Sequence, residues 1–208
     1  MDSSKILSKL KKAYPDSKIA LDYTNSLELL VATILSAQCT DKRVNIVTKN
    51  LFKKYKKIED FAKAKQEVFE QEIRSTGFYR NKAKNIIASA RIILKDFDGK
   101  VPDTMEALLS LPGVARKTAN ILLTDGFGKV EGIAVDTHVK RLSNRIGFSK
   151  EDNPDKIEQD LMRVFNKKDW KDINHLLIQH GREICDAKKP KCAECVINSY
   201  CEFFKGQQ

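Results

Sequence analysis

The sequence lacks the features that mark membrane-spanning and secreted proteins. Its longest apolar stretch, Leu27–Ala37, is far shorter than the roughly 20 residues needed to span a bilayer. Its first residues, MDSSKILSKLKK, contain no apolar segment of the kind that secretory signals carry. We therefore expect an intracellular protein that has no membrane attachment.

Strand patterns, repeats and nucleotide-binding motifs are also missing. No segment alternates polar and apolar residues over the length of a strand, and there is no low-complexity tract. Gly126 and Gly128 are not followed by the third glycine of a dinucleotide fingerprint, and there is no Walker A sequence, so we expect no nucleotide cofactor. Apolar residues instead recur at helical spacing, as in Leu27, Leu30, Val31, Ile34 and Leu35. The predicted fold class is all-α.

Positive charge is in excess. The chain has 38 Lys and Arg against 28 Asp and Glu, a formal net charge of +10. Such a balance suits a polyanionic partner, either a nucleic acid or an anionic membrane surface, and the absence of membrane features favours nucleic acid. Charge alone is equally compatible with a solvated surface.

Helix-capping residues divide the chain into short helices. Asn25 and Asn153 each precede an apolar helical pattern, and Pro154 fits the first helical position. The segment Asp103–Glu106 reads as a capping box. After Gly77 a strong helix is predicted, and its basic residues are expected to reach solvent: Lys82, Lys84, Arg91 and Lys95.

A tight turn, Leu111-Pro112-Gly113-Val114, leads into a short buried helix that ends near Gly126. The free N–H groups at such a helix N-terminus bind phosphate without reading base sequence. Lys117 lies in the first turn of this helix, beside Arg116. Both the helix dipole and the neighbouring cation disfavour a further positive charge, which favours the neutral, nucleophilic amine.

Asp136 follows Lys117 by nineteen residues and precedes the apolar pattern Val139, Leu142, Ile146, as an N-cap residue does. A carboxylate near a reacting amine stabilises developing positive charge and helps to transfer protons. A surface lysine and a capping aspartate would give the same pattern. The position of Lys117 after a phosphate-binding turn in a basic chain favours a functional pair.

Four of the five cysteines, Cys185, Cys192, Cys195 and Cys201, form a C-x6-C-x2-C-x5-C pattern. Thiols gathered so closely without a secretion signal indicate a metal site, although the spacing does not separate zinc from an iron–sulfur cluster. The loop also carries Lys189 and Lys191, which would contact phosphate.

The remaining cysteine and the histidines suggest no second metal site. Cys39 is expected to be a small buried residue. His138, His175 and His180 have neither HExxH spacing nor a cysteine partner in the sequence. His180 lies on an apolar helix face and is expected to be a hydrogen-bonded core histidine.

The sequence LPGVARKTA at Leu111–Ala119, followed by VDTH at Val135–His138, resembles the helix-hairpin-helix/Gly-Pro-Asp motif of DNA glycosylases. The resemblance is to the endonuclease III family, covers nearly the whole chain and includes all four clustered cysteines. It implies a monomeric base-excision repair enzyme that acts on double-stranded DNA containing damaged bases or abasic sites. In that family an N-glycosylase removes oxidised pyrimidines and then cleaves the abasic site by β-elimination.

The resemblance also implies roles for the residues above. Lys117 would form the Schiff base and Asp136 would assist it, and the four cysteines would hold a structural [4Fe–4S] cluster. A monofunctional mismatch glycosylase and a non-catalytic module that binds damaged DNA are the alternative functions. Related single-step glycosylases generally lack a lysine at this position, which counts against the first alternative.

The domain organisation comes from the resemblance as well. Residues 19–130 would form a six-helix bundle that contains the helix-hairpin-helix at about 104–125. Residues 1–18 and 131–208 would form a second helical domain with the cluster loop 185–201. Lys117 and Asp136 would meet in a cleft between the two.

The DNA contacts are likewise implied by the resemblance. Gln38 would fill the space left by an extruded nucleotide, and Phe78 would wedge near the opposite strand, although Phe78 also fits an ordinary packed turn residue. Two residues depart from the family pattern: Ala115 stands where a glycine is frequent, and Phe78 stands where an aliphatic residue is expected. The hairpin contacts would come from Leu111, Gly113, Ala115, Arg116, Lys117 and Thr118.

Overall fold

The computed structural model describes residues 2–207, and all regular secondary structure in this range is helical. The predicted all-α class is thereby confirmed. The α-helices are α1 (Ser3–Ala13), α2 (Ser26–Leu35), α3 (Asp41–Lys54), α4 (Ile58–Ala62), α5 (Gln66–Glu72), α6 (Tyr79–Asp96), α7 (Met105–Leu109), α8 (Arg116–Ile121), α9 (Thr137–Ile146), α10 (Pro154–Val164), α11 (Trp170–Glu183) and α12 (Glu202–Lys205). Short 3-10 turns lie at Arg74–Thr76, Lys167–Asp169, Cys192–Glu194 and Asn198–Tyr200, and a π-helical turn at Leu122–Gly126. None of the helices in the described part of the chain is both long and apolar enough to cross a bilayer.

The chain divides into two compact units. One unit is Ala20–Lys129; the other consists of the residues up to Ile19 together with those from Val130 onward. The predicted domain 19–130 differs from the first unit by one residue at each end. The helical hairpin lies in the unit Ala20–Lys129, and the cysteine loop lies in the other.

The unit Ala20–Lys129 is built around α2. Every residue from Leu29 to Leu35 is buried, which explains why its apolar pattern extends around the helix instead of forming one stripe. α2 packs against α3, α6 and α8, and α6 packs against α4 and α5. An aromatic cluster of Tyr55, Phe61 and Phe69 fills the space beside α6, with ring centroids 5.2 to 6.1 Å apart.

The other unit has its own core, in which α11 packs against both α1 and α9. This core is closed by Ile6 and Leu10 from α1, by Val139 and Leu142 from α9, and by Leu177 from α11, all of them fully buried. The N-terminal helix therefore completes a unit whose other helices lie more than a hundred residues later in the chain.

Three expectations about caps can be compared directly with the structure. Asn25 and Asn153 cap α2 and α10 through their side-chain oxygens, as predicted. The predicted capping box at Asp103–Glu106 is wrong, because Thr104 is the N-cap residue and its hydroxyl accepts the N–H of Ala107. Asp103 pairs instead with Lys129, 2.6 Å away, and this bond fastens the end of the unit to the start of α7.

Candidate catalytic and metal sites

The turn between α7 and α8 is fixed by α6. Gly113 has φ +82°, and a Cβ at this position would lie 2.9 Å from Nδ2 of Asn85. The Ser89 hydroxyl donates to the carbonyl of Pro112 at 2.8 Å. Both the left-handed backbone and the close approach of α6 therefore require glycine at position 113.

Lys117 is exposed in the first turn of α8. Ala115 occupies the N-cap position, and its side chain makes no capping hydrogen bond. A helix N-terminus of this kind suits an anion, because its first N–H groups have no partner within the helix. Arg116 and Thr118 are partly exposed, whereas Leu111 is only 2 % exposed. Of the predicted hairpin contacts, Leu111 can therefore offer little beyond its backbone, because its side chain belongs to the core.

Asp136 is the N-cap residue of α9, as predicted. Its Oδ1 accepts the N–H groups of His138 and Val139, each at 2.8 Å. Its Oδ2 lies 3.1 Å from Nδ1 of His138, which donates to it when that nitrogen carries the proton. The carboxylate keeps 17 % of its side-chain surface exposed. Its orientation is thus fixed while one edge remains accessible.

His138 is a site residue that the sequence alone did not reveal. Its signal in the sequence is a histidine two residues after an N-cap carboxylate. At that position the ring lies beside the carboxylate that caps the same helix. His138 therefore belongs with Asp136 at the N-terminus of α9.

The four clustered cysteines lie around one cavity. Cys185 follows α11, Cys192 begins a 3-10 turn that Cys195 follows, and Cys201 precedes α12. The other residues that line the cavity are mainly apolar: Ile146, His180, Ile184, Pro190, Ile197, Asn198, Phe203 and Phe204. Within residues 2–207, no three His, Cys, Asp or Glu side chains are arranged to hold a single metal ion. Four cysteine sulfurs around one mainly apolar cavity fit a [4Fe–4S] cluster, whose irons are held by four cysteine thiolates.

Burial makes two of the four thiols poor nucleophiles. Burial raises the pKa of Cys195 to about 11, and burial also raises the pKa of Cys201. Such thiols stay protonated at neutral pH unless a metal stabilises the thiolate. Cys195 and Cys201 are therefore unsuited to act as free nucleophiles.

Two arginines from α9 hold the loop that leaves Cys185. Arg141 donates to the carbonyl of Cys185 from Nε at 3.1 Å and from a terminal nitrogen at 3.0 Å. Arg145 donates to the carbonyls of Asp186 and Ala187 at 2.6 and 2.8 Å. The helix that is capped by Asp136 thus also anchors the cysteine loop. Lys189 and Lys191, both on this loop, are exposed, so their ammonium groups can reach a phosphate.

His180 corrects one expectation and supports another. It is buried and hydrogen-bonded, as predicted, with the Tyr14 hydroxyl 2.8 Å from its Nδ1. It does have a cysteine partner, however, because its Nε2 lies 3.3 Å from Sγ of Cys195. Burial lowers the pKa of His180 to about 4, so the ring is neutral at physiological pH. Cys39 is partly exposed, and the expectation that it would be buried is wrong.

Gln38 and Phe78 share an unusual backbone. Both are exposed, Phe78 by 63 %, and both have positive φ, 52° and 47° respectively. A left-handed conformation costs a residue with a side chain about 1–2 kcal/mol, so each loop is held in shape by its surroundings. Their roles at DNA remain predictions.

Lys82 departs most clearly from what the sequence predicts. A solvent-exposed side chain is expected there, but Lys82 is only 4 % exposed, and its Nζ donates to the carbonyls of Leu35 and Thr76 at 2.8 Å each. Burial lowers the pKa of Lys82, while the nearby Cys39 acts in the opposite direction. The sequence gives no sign of these contacts because Leu35 lies 47 residues earlier.

The helical fold and the hairpin before Lys117 place the chain in a known class of DNA repair proteins. Residues 31–167 match the HhH-GPD superfamily of base excision DNA repair proteins. Residues 185–201 match the iron–sulfur binding domain of endonuclease III.

Individual relatives define the family more narrowly. The chain is 51 % identical to endonuclease III of a Synechocystis species over 199 residues, which cover 96 % of this chain and 91 % of that protein. It is 47 % identical to endonuclease III of Bacillus subtilis, over 94 % of this chain and 89 % of that protein. It also matches the structure of a trapped covalent intermediate between endonuclease III and DNA, with a TM-score of 0.94 and 42 % identity over 99 % of this chain and 97 % of that chain.

The chain therefore belongs to the endonuclease III family, the DNA glycosylases and abasic-site lyases of base excision repair. Its cofactor is a [4Fe–4S] cluster. The resemblance noted in the sequence, the fold it implied and the choice of iron over zinc are confirmed.

Proposed function

We propose that this enzyme removes oxidised pyrimidines from duplex DNA, with Lys117 as the nucleophile and Asp136 as its partner. The observation that carries the proposal is an exposed amine in the first turn of a helix whose N-cap residue is an alanine, directly after a turn that requires glycine at position 113. Lys117 and Asp136 belong to different units of the chain, and we propose that both act on the same nucleotide.

The chemistry follows from the amine. The target nucleotide leaves the base stack, and a damaged, poorly stacked base costs the least to extrude. The neutral Lys117 amine attacks C1′, the bond from C1′ to the base breaks, and the base departs with its bonding electrons and takes up a proton. Opening of the sugar ring leaves a Schiff base between Nζ and C1′.

The Schiff base then directs strand cleavage. It acidifies the hydrogens at C2′, so a base can remove one of them. The bond from C3′ to its oxygen breaks, and the strand is cut on the 3′ side. Hydrolysis of the imine releases Lys117 for another cycle.

Asp136 contributes charge in a fixed orientation. Positive charge develops on the sugar as the base leaves, and a carboxylate stabilises it. The two backbone N–H bonds to Oδ1 and the contact of Oδ2 with His138 hold the group in place, so little reorganisation is needed during the reaction.

The proposed substrate is double-stranded DNA that contains a damaged base or an abasic site, bound by a monomer. Phosphates would contact the N-terminus of α8 near Gly113 and Ala115, and lysines of the cysteine loop. Cys185, Cys192, Cys195 and Cys201 would hold the [4Fe–4S] cluster, which stabilises the loop that presents Lys189 and Lys191. Gln38 and Phe78 would enter the stack beside the extruded nucleotide.

Borohydride trapping tests the proposal. Wild-type protein mixed with duplex DNA carrying thymine glycol should give a covalent adduct, because borohydride reduces the imine. Lys117→Gln should abolish the adduct and lower strand cleavage by a factor of about 10³ or more, while duplex binding persists. An adduct that survives this substitution would show that the nucleophile is another group.

The same assay separates the alternatives. Base release without strand scission or adduct would indicate a monofunctional glycosylase. Salt-sensitive binding without any turnover would indicate a binding module. Activity on an undamaged mismatch but none on thymine glycol would contradict the assignment to oxidised pyrimidines.

A further inference from the structure

Lys82 has a buried position that neither catalysis nor solvation explains. It lies in the first turn of α6 with 4 % of its surface exposed. Its Nζ donates to two main-chain carbonyls, those of Leu35 and Thr76, at 2.8 Å each. Because burial of an ammonium is costly unless hydrogen bonds compensate for it, these two contacts account for its presence in the core.

Each of the two carbonyls belongs to one of the loops that carry a proposed DNA-inserting residue. Leu35 is the last residue of α2, and Gln38 follows three residues later. Thr76 ends a 3-10 turn, and Phe78 follows two residues later. A single ammonium is therefore bonded to the base of both loops.

The local chemistry suits a cation at this point. The last carbonyls of a helix have no partner within the helix and carry the negative end of its dipole, and Leu35 supplies such a carbonyl at the C-terminus of α2. Both loops hold a residue with a side chain at positive φ, Gln38 at 52° and Phe78 at 47°. Such conformations persist only where the surrounding contacts fix them.

We propose that Lys82 is a positioning residue that fixes the Gln38 and Phe78 loops relative to each other, so that both side chains enter the DNA stack together. The proposal rests on the proposed function of Gln38 and Phe78. Lys82 touches neither the nucleotide nor the reacting atoms. Its effect is on the step in which a paired nucleotide is extruded.

The test compares two variants of α6. Lys82→Met keeps an unbranched side chain as far as Cε and removes its hydrogen-bond donors. Arg91→Met is the matched control, because Arg91 lies on the same helix and donates from Nε to a main-chain carbonyl, that of Ala62 at 3.1 Å, away from both loops. The purified holoenzyme acts on two duplexes that carry the same thymine glycol, one fully paired and one with the lesion inside an unpaired bubble.

The expected result is a selective loss. Lys82→Met should lower the single-turnover rate on the paired duplex by about 10- to 100-fold, as a displacement of about 1 Å does, and on the bubble by less than about 3-fold. Arg91→Met should affect both substrates equally. The proposal would be overturned if Lys82→Met lowered the rate equally on both duplexes. It would also be overturned if Arg91→Met lowered the rate on the paired duplex as much as Lys82→Met does.

A binding readout that needs no turnover accompanies the rates. In a Lys117→Gln background, 2-aminopurine placed opposite the lesion should brighten when the enzyme inserts into the stack. Adding Lys82→Met should remove most of this increase. An undiminished increase would contradict the proposal. If Lys82→Met melts below the assay temperature, the rates are measured at a lower temperature at which it is folded, with the same selectivity for the paired duplex expected.

A double-mutant cycle separates the proposed role of Lys82 from the proposed insertion of Gln38 and Phe78 into the DNA stack. If Gln38→Ala/Phe78→Ala behaves as wild type on the paired duplex, the insertion roles of Gln38 and Phe78 are wrong. If Gln38→Ala/Phe78→Ala lowers the single-turnover rate on the paired duplex, adding Lys82→Met to it should lower the rate by less than a further factor of about 2. The reason is that the effects of residues that act through one another are not additive. If the rate reduction of Lys82→Met instead multiplies fully with that of Gln38→Ala/Phe78→Ala, the insertion roles of Gln38 and Phe78 stand and the proposed role of Lys82 is overturned.

Discussion

At the scale of the residue, Asp136 has two separable roles. Its Oδ1 caps α9, and its charge is proposed to serve catalysis. Asparagine caps a helix about as well as aspartate but carries no charge.

Asp136→Asn should therefore keep the free energy of unfolding within about 0.5 kcal/mol of the wild type, and should lower base release by about 10²–10³-fold. Denaturant unfolding and single-turnover glycosylase assays measure the two effects. Asp136→Ala is the comparison, since it should lose both the cap and the activity. Full activity in Asp136→Asn would remove the carboxylate from the mechanism.

Gly113 offers a second test at this scale. Gly113→Ala combines a positive φ with a close contact to Asn85 and should lower the free energy of unfolding by about 3 kcal/mol. Gly128→Ala is the control, because Gly128 has φ +69° and a Cβ added there would meet nothing within 4 Å. That variant should lose only about 1 kcal/mol. Equal losses, measured by denaturant titration, would show that α6 does not constrain the turn.

At the scale of the element, α9 connects two functions. Its N-terminus presents Asp136, and Arg141 and Arg145 on its later turns hold the cysteine loop. Gly181 lets α11 approach closely, since a Cβ there would lie 3.1 Å from a terminal nitrogen of Arg141. A change in the packing of α9 is thus expected to reach both sites.

Arg145→Leu should loosen the loop between Cys185 and Cys192. Arg145 bonds the carbonyls of Asp186 and Ala187, and its guanidinium lies 4.7 Å from the centroid of the Phe203 ring. We expect iron to be lost to a chelator about 10-fold faster, followed as decay of the visible absorption of the cluster. Arg163→Leu is the control, since Arg163 is exposed and pairs with Asp160 outside the loop. Identical decay in the two variants would show that the anchors of α9 do not protect the cluster.

What the sequence could predict depended on the range of the interaction. The caps at Asn25 and Asp136 are hydrogen bonds to N–H groups two or three residues away, and the sequence predicts them because the partners are so near in the chain. The burial of Lys82 could not be predicted, because its partner Leu35 lies 47 residues away. The contact of Tyr14 with His180 could not be predicted either, because 166 residues separate them. The displaced cap at Thr104 shows that even local patterns mislead when a neighbouring carboxylate, here Asp103, has a distant partner.

At the scale of the whole molecule, the net charge of +10 predicts binding that depends strongly on salt. The logarithm of the binding constant should fall linearly with the logarithm of salt concentration. Lys189→Ala should reduce that slope by about 1 if Lys189 contacts a phosphate. Lys9→Ala, an exposed lysine on α1, is the comparison. Fluorescence anisotropy on duplex DNA measures both slopes, and an unchanged slope in Lys189→Ala would contradict the phosphate contact.

The central claim is that one amine, that of Lys117, carries the covalent chemistry. Peptide mapping of the borohydride-trapped adduct by mass spectrometry tests it most directly, because the DNA remnant marks the residue that attacked C1′. The account predicts the remnant on the peptide that contains Lys117 and on no other. A remnant on any other lysine or on the terminal amine would contradict it.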